Sequence, residues 1–304
     1  MTIVLRSLVV RSDGTMLVDG VELSLAPGSR TALVGASGAG KSLTCAALAG
    51  TLPAGLEASG SLTVEADGAA AGASVGSRTA SGQGDGGEEG VNLLGLPAAQ
   101  RPRNGRIALV SQDHSTALHP LIPVGRQIAL AARAGGCRPG QGRRRAEEML
   151  RAVGLEAALG ERVPGRLSGG QRQRAALALA LAARPSVLIA DEPTTALDVL
   201  ARAEILDLLT RLTSADAAGG SDGTDSAQSV QGTPDGPALL LITHDLPAAA
   251  ICENVVVLHD GAVIERGPTA QVLAHPEHPV TVAMCEAAAG ETIDGALAAV
   301  GAAA

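Results

Sequence analysis

Gly35-Ala36-Ser37-Gly38-Ala39-Gly40-Lys41-Ser42 fits G-x-x-x-x-G-K-[ST] at every fixed position and lies between two apolar stretches of different character. Before it, Thr31-Ala32-Leu33-Val34 is short and partly β-branched, as a buried parallel strand should be; after it, Leu43 to Leu48 is rich in Ala and Leu and reads as a helix. Glycines let the backbone curl around a ligand with no Cβ in the way, so successive N–H groups and the helix N-terminus point at phosphate oxygens. Lys41 is then expected to reach the β- and γ-phosphates and the Ser42 hydroxyl to ligate Mg²⁺. A glycine-rich turn matching by accident is the alternative, and the rest of the chain decides between them.

The composition is that of a globular chain, 304 residues with 46% hydrophobic and 18% charged, enough to build a sizeable core in one large domain or two. A net charge of -8 argues against nucleic acid as a partner. The N-terminus carries no basic-plus-apolar signal, and the apolar helical run Ala175 to Ala183 is too short to span a bilayer. A cytosolic protein is therefore expected, with any membrane role reached through a partner. Cys45, Cys137, Cys252 and Cys285 are scattered with no C-x-x-C pair, so they are expected to be buried small hydrophobes rather than metal ligands or disulfides. Phe, Tyr and Trp are all absent, which leaves the core to Leu, Val, Ile and Ala and removes ring stacking from any binding site.

Along the chain, Met1 to Val10 and Met16 to Leu25 read as strands of a hairpin around Ser12 to Thr15, followed by a turn at Pro27-Gly28. Gly60 to Val64 is another strand, and Ala66 to about Gly90 is a low-complexity insertion without periodicity. Ile107 to Val110 is a strand ending at Ser111-Gln112, and a mostly helical section runs from about Pro123 to Val163. Ser168 is a good N-cap for an Ala/Leu helix reaching about Ala183. Ser186 to Ala190 is a buried strand ending in Asp191-Glu192, and the helix after it carries Ile205, Leu208, Leu209 and Leu212 on one face. A second low-complexity insertion spans Ser214 to Gly236, and Ala238 to Ile242 is a buried strand delivering Thr243-His244-Asp245. Asp260-Gly261 signals a hairpin, and the tail from His275 is expected to be helical only in part. Strands alternating with helices predict an α/β fold, with ligand at the strand C-termini.

Each chemical candidate sits where a strand ends. Asp191 can hold Mg²⁺ and Glu192 can polarise a water against a γ-phosphate, His244 can hydrogen-bond that phosphate, and Gln112 can reach the metal and the attacking water. Alone, two acids after a strand are more often a helix cap and a lone His or Gln more often structural. With the glycine loop present, the functional reading is preferred.

The combined pattern resembles the ATP-binding subunit of an ABC transporter, over roughly Leu5 to Leu273. Gly35 to Ser42 is similar to Walker A, Gln112 to the Q-loop, Leu167-Ser168-Gly169-Gly170-Gln171 to the LSGGQ signature, Leu188 to Asp191 with Glu192 to Walker B and its base, Ala196-Leu197-Asp198 to the D-loop and His244 to the H-loop. The resemblance implies an α/β P-loop NTPase with an ABC-type RecA-like core, an antiparallel β subdomain and a helical subdomain inserted at about 113–183. It implies an ATP-binding domain over 1–273 and a short tail over 274–304. It also implies a head-to-tail dimer in which Ser168, Gly169 and Gly170 serve the nucleotide of a second ATPase subunit, identical or different, and counts Gln171 and Asp198 among the nucleotide-binding residues. Two membrane permeases, contacted through about Ser115 to Ala134, and an extracytoplasmic solute-binding protein are the further partners implied, which puts the chain at the cytoplasmic face of the membrane.

Ser111 to Pro120 and His278-Pro279-Val280-Thr281 are similar to stretches of the peptide and nickel importer branch, with the aromatics lost. The aromatic that holds adenine in this family is missing near Arg11, and Arg11 is expected to lie on the base in its place. The other class of function is a soluble ABC ATPase acting as a nucleotide-dependent switch. That reading predicts a tandem cassette or a long coiled coil, and the sequence has neither. A degenerate, inactive subunit is a third, opposed by Lys41, Asp191, Glu192 and His244.

Overall fold

The computed structural model describes residues 1–66, 91–112, 117–195, 197–214 and 236–291. Both low-complexity insertions, all but their first or last residues, lie outside that set, as do Asp113 to Thr116, Ala196 and the tail beyond 291.

Two sheets form around the glycine loop. Strand β1 (Thr2–Ser12) folds back on β2 (Thr15–Leu25) through Asp13-Gly14, both at positive φ, and β4 (Leu56–Glu65) pairs on its other edge, giving an antiparallel sheet in the order β2-β1-β4. The second sheet holds β3 (Arg30–Val34), β5 (Ile107–Val110), β6 (Val187–Asp191), β7 (Ala238–Thr243), β8 (Asn254–His259) and β9 (Ala262–Pro268). Its order is β5-β6-β7-β3-β8-β9, parallel throughout except for the closing β8–β9 hairpin.

The parallel strands are near-continuous apolar runs because both faces are covered. Leu188 and Ala190, Leu239 and Leu241, Ala32 and Val34, and Val255 and Val257 pack against the helical side. Their neighbours Val187 and Ile189, Leu240 and Ile242, Leu33, and Val256 and Leu258 pack against the antiparallel sheet and helix α1 (Lys41–Ala49). This period-two alternation divides one apolar sequence into two cores.

The helical side is built from α2 (Val124–Ala134), α3 (Gly142–Ala152) and α4 (Gly169–Ala182); a 3₁₀ turn at Ala157–Glu161 closes the section expected to be mostly helical, and another at Pro164–Arg166 leads into α4. With no rings to fill space, α4 packs through Leu177 and through Ala175, Ala176, Ala178 and Ala182, small residues that let the helix lie close. Gln127, buried on α2, donates to the carbonyls of His119 (2.9 Å) and Ile122 (2.7 Å) and accepts from the His119 N–H (2.8 Å), which fixes the turn before the helix. Helices α5 (Val199–Thr213), α6 (Leu246–Ala249) and α7 (Thr269–Ala274) follow, and the tail contains α8 (Pro279–Glu291). Glu265 on β9 accepts from the N–H groups of Glu277 (3.0 Å) and His278 (3.1 Å), seating the start of that last helix. Of the four cysteines expected to be buried, Cys45 and Cys252 are, whereas Cys137 and Cys285 are half-buried, being carried where the helical layers meet solvent. Among the described residues no helix is long and apolar enough to cross a membrane.

Candidate functional site

The loop between β3 and α1 is shaped by what it touches. A Cβ on Gly35 would come within 2.3 Å of the Leu258 carbonyl oxygen, so β8 leaves room for glycine alone. Gly40, at φ 98°, turns the chain into α1, and the Ala39 carbonyl accepts from the N–H of Gly261 (3.2 Å) in the β8–β9 turn. On the outer side Ala36, Ser37 and Gly38 are exposed, and space stands open around Gly38. The loop is thus anchored from behind and open in front.

Lys41 is only 7% exposed, and its ammonium donates to the carbonyls of Gly35 (2.7 Å) and Ala36 (2.9 Å). Burial pushes its pKa down, while the charges of Glu192 and Asp191 push it up. Asp191, at the end of β6, shows the reverse: burial raises its pKa, the adjacent Glu192 raises it further, and Lys41 opposes both. These groups are close enough to feel one another and are held largely out of water.

Glu192 has a left-handed backbone (φ 47°), secured by its N–H donating to the Ile242 carbonyl of β7 (2.9 Å). That conformation turns its side chain toward β7, where His244 Nδ1 lies 3.1 Å from Oε1. The Thr195 hydroxyl donates to the other carboxylate oxygen, Oε2, at 3.0 Å. Gln112 leaves the sheet beside them: β5 pairs with β6 through Val110 and Ala190, and two residues further on each strand stand Gln112 and Glu192. Lys41, Asp191, Glu192, His244 and Gln112 therefore share one edge of the parallel sheet.

Ser168, Gly169, Gly170 and Gln171 are elsewhere. They form the N-terminus of α4, with Ser168 Oγ accepting from the Gln171 N–H (3.2 Å) and Gln171 Oε1 from the Ser168 N–H (3.0 Å). Gln171, expected to touch nucleotide, has its side chain engaged in this box. Among the described residues no hydrogen bond joins these four to Lys41, Asp191, Glu192 or His244, although buried Gln173, one turn on, donates to the Pro193 carbonyl. Gly169 and Gly170 are exposed with open space at their Cα atoms. Asp198 caps α5 through the Ala201 N–H (2.9 Å), and Arg11 lies exposed on β1.

Two contacts at this edge escaped sequence reasoning. Thr195 lies in a polar turn, and the only signal was a hydroxyl residue three positions after Glu192. Arg202 on α5 meets Asp245, the residue after His244, at 2.7 Å, a pairing 43 residues apart with no sequence signal.

The residues fit a phosphate chain carrying Mg²⁺. Among the described residues no group of three or more His, Cys, Asp or Glu side chains converges that could hold a metal ion by itself. Mg²⁺ on a phosphate chain needs only one or two protein oxygens, and the Ser42 hydroxyl and Asp191 are available to supply them. Phosphate oxygens are able to replace the two loop carbonyls to which the desolvated Lys41 ammonium now donates.

Residues 18–195 match the family model described as ABC transporter. The probable peptide ABC transporter ATP-binding protein y4tR of Sinorhizobium fredii is 35% identical over 280 residues, 89% of this chain and 70% of that one. The oligopeptide transport ATP-binding protein OppD of Haemophilus influenzae is 32% identical over 279 residues, 89% of this chain and 72% of that one. Among solved structures, the dimeric post-hydrolysis state of the ATP-binding cassette MJ0796, bound to ADP and Pi, superposes with a TM-score of 0.63 over 88% of this chain and 98% of its own, at 23% identity, a likeness of fold.

Proposed function

Because the chain belongs to the ABC transporter family, we propose that it is the ATP-hydrolysing subunit of a peptide importer, acting on two separate membrane permeases at the cytoplasmic face of the membrane. The observation that carries the ATPase part is the convergence of Lys41, Asp191, Glu192 and His244 on one sheet edge, beside a glycine loop open to solvent. The peptide part is supported by the relatives, which are named as peptide and oligopeptide transport ATP-binding proteins.

In this reading the N–H groups of Gly35 to Gly40 cradle the phosphates, and Lys41 exchanges the Gly35 and Ala36 carbonyls for β- and γ-phosphate oxygens. Ser42 and Asp191 hold Mg²⁺, with Gln112 reaching toward it; the ion neutralises phosphate charge when bound. Glu192 takes the proton of the attacking water, and His244, whose ring stands beside Oε1, donates an N–H to the γ-phosphate. Arg11 lies on the adenine. Ser168, Gly169, Gly170, Gln171 and Asp198 complete the site of a second ATPase subunit; the exposure of Ser168, Gly169, Gly170 and Asp198, with no hydrogen bond from them to Lys41 among the described residues, supports that assignment. An extracytoplasmic solute-binding protein supplies the peptide. The assigned extent is 1–273 for the ATP-binding domain, with 113–183 as its helical subdomain and 274–304 as a tail.

The test is ATP turnover by Glu192→Gln against wild type. Removing a general base is expected to cost on the order of a hundredfold or more in kcat with ATP affinity retained. Equal rates would defeat the catalytic assignment. Uptake of a labelled peptide into vesicles holding the whole assembly, abolished by the same substitution, tests the substrate class.

A further inference from the structure

We infer that Thr195 is a positioning residue for the base, its hydroxyl holding Glu192 in the rotamer that faces His244. This rests on the reading of Glu192 as the group that accepts the water's proton. Glu192 is fixed at its backbone by the Ile242 carbonyl and at Oε1 by His244, but His244 is itself 63% exposed at its side chain and carries no other hydrogen bond among the described residues. A glutamate has three rotatable bonds, and one solvent-exposed imidazole touching a single oxygen leaves the other oxygen unheld. Thr195 supplies the stiffer one. Its N–H donates to the Glu192 carbonyl (3.2 Å), closing a turn, and its hydroxyl donates to Oε2 (3.0 Å), so backbone and side chain of the same residue grip backbone and side chain of Glu192. The β-branch limits Thr195 to few χ1 wells, which keeps that donor aimed.

The loop also gives Thr195 a position no other residue shares. Pro193 accepts from the buried Gln173 of α4, and Leu197 N–H donates to the Thr194 carbonyl (3.3 Å) just before Asp198 caps α5. Thr195 thus sits between the segment anchored to the signature helix and the segment that opens α5, and it is the residue through which this loop touches a carboxylate oxygen of the base. With Oε2 occupied by the hydroxyl and Oε1 facing His244, the carboxylate plane is set before substrate arrives, which is the condition for efficient proton abstraction.

The experiment measures ATPase kinetics of the full chain, in the assembly that gives its full rate, for Thr195→Val, Thr195→Ser, Glu192→Gln and the double variant Glu192→Gln with Thr195→Val. Val keeps the shape and loses the donor; Ser keeps the donor. The expected result is a kcat about tenfold lower for Val, with KM for ATP within about twofold of wild type, and a Ser rate within about threefold of wild type. The double variant should be no slower than Glu192→Gln alone, because a positioner has nothing to position once the base is gone. An unchanged kcat in Val, an equal fall in Val and Ser, or an additive loss in the double variant would each overturn the proposal while leaving the base in place. Full turnover by Glu192→Gln would instead overturn the assignment of the base, and the positioning role with it.

Discussion

A carboxylate at the end of a buried strand is held against its solvation preference, and Asp191 is such a group. Burial, then the charge of Glu192, lifts its pKa above the ordinary carboxylate value, and Lys41 restores only part of the balance. A folded-state pKa above the unfolded one means the native state binds the proton more tightly, so stability falls as pH rises from the ordinary carboxylate range through the raised value. Asp191→Asn is therefore expected to raise the melting temperature of the nucleotide-free protein at neutral pH while removing turnover. The gain should shrink on acidification, as wild-type Asp191 takes up its proton; melts across a pH series check this, and an Asn variant no more stable at neutral pH would contradict it. Asp191 and Glu192 were legible from sequence because both follow four apolar residues. The grip of Thr195 on Glu192 was not, because it depends on a left-handed backbone that nothing in the residue type announces.

At the scale of elements, α1 shows how a helix with a phosphate loop at one end is held at the other. The helix ends on Gly50 at φ 70°, where the N–H groups of Gly50 and Thr51 return to the carbonyls of Ala47 (3.2 Å) and Ala46 (2.9 Å), and the buried Leu48 carbonyl takes its donor from outside the helix. Arg101, 4% exposed, fills that role: it donates to the carbonyls of Leu48, Ala47 (3.5 Å) and Leu96 (3.1 Å). It has no carboxylate partner among the described residues, and its cation faces the negative end of the helix instead. Arg101→Met keeps the stem and deletes the donors, and is expected to cost about 2 kcal/mol in urea unfolding, the scale of stranded buried carbonyls. A midpoint matching wild type would show that those carbonyls find other donors. Helix α1 was readable over Leu43 to Leu48, two residues inside its observed start at Lys41, the start of α4 from its Ser168 cap, and the β8–β9 hairpin from Asp-Gly. The Arg101 cap was not, since it joins positions 53 residues apart.

Over the whole molecule, the proposed site is split: the glycine loop, Asp191, Glu192 and His244 lie on the sheet edge, and the Ser168 turn lies on α4. If the second ATPase subunit is another copy of this chain, mixing two inactive variants restores turnover, because Lys41→Ala keeps a sound Ser168 turn and Ser168→Arg keeps a sound glycine loop. ATPase activity of the mixture above that of either variant alone is the expected outcome, and no recovery would exclude a functional site shared between two copies. What the sequence alone determined is what contiguous residues carry: the strand–loop–helix of the phosphate site, the apolar runs that must be buried on both faces, the acids at a strand end and the cap of α4. What only the tertiary structure decided is which of these meet. The order β5-β6-β7-β3 sets Gln112, Glu192, His244 and the glycine loop side by side, and it also chose Thr195, Arg101 and the Arg202–Asp245 pair as supports. The reason is physical: hydrophobic periodicity is written locally, whereas the pairing of polar groups far apart in the chain follows from how the sheet is ordered once both its faces are buried.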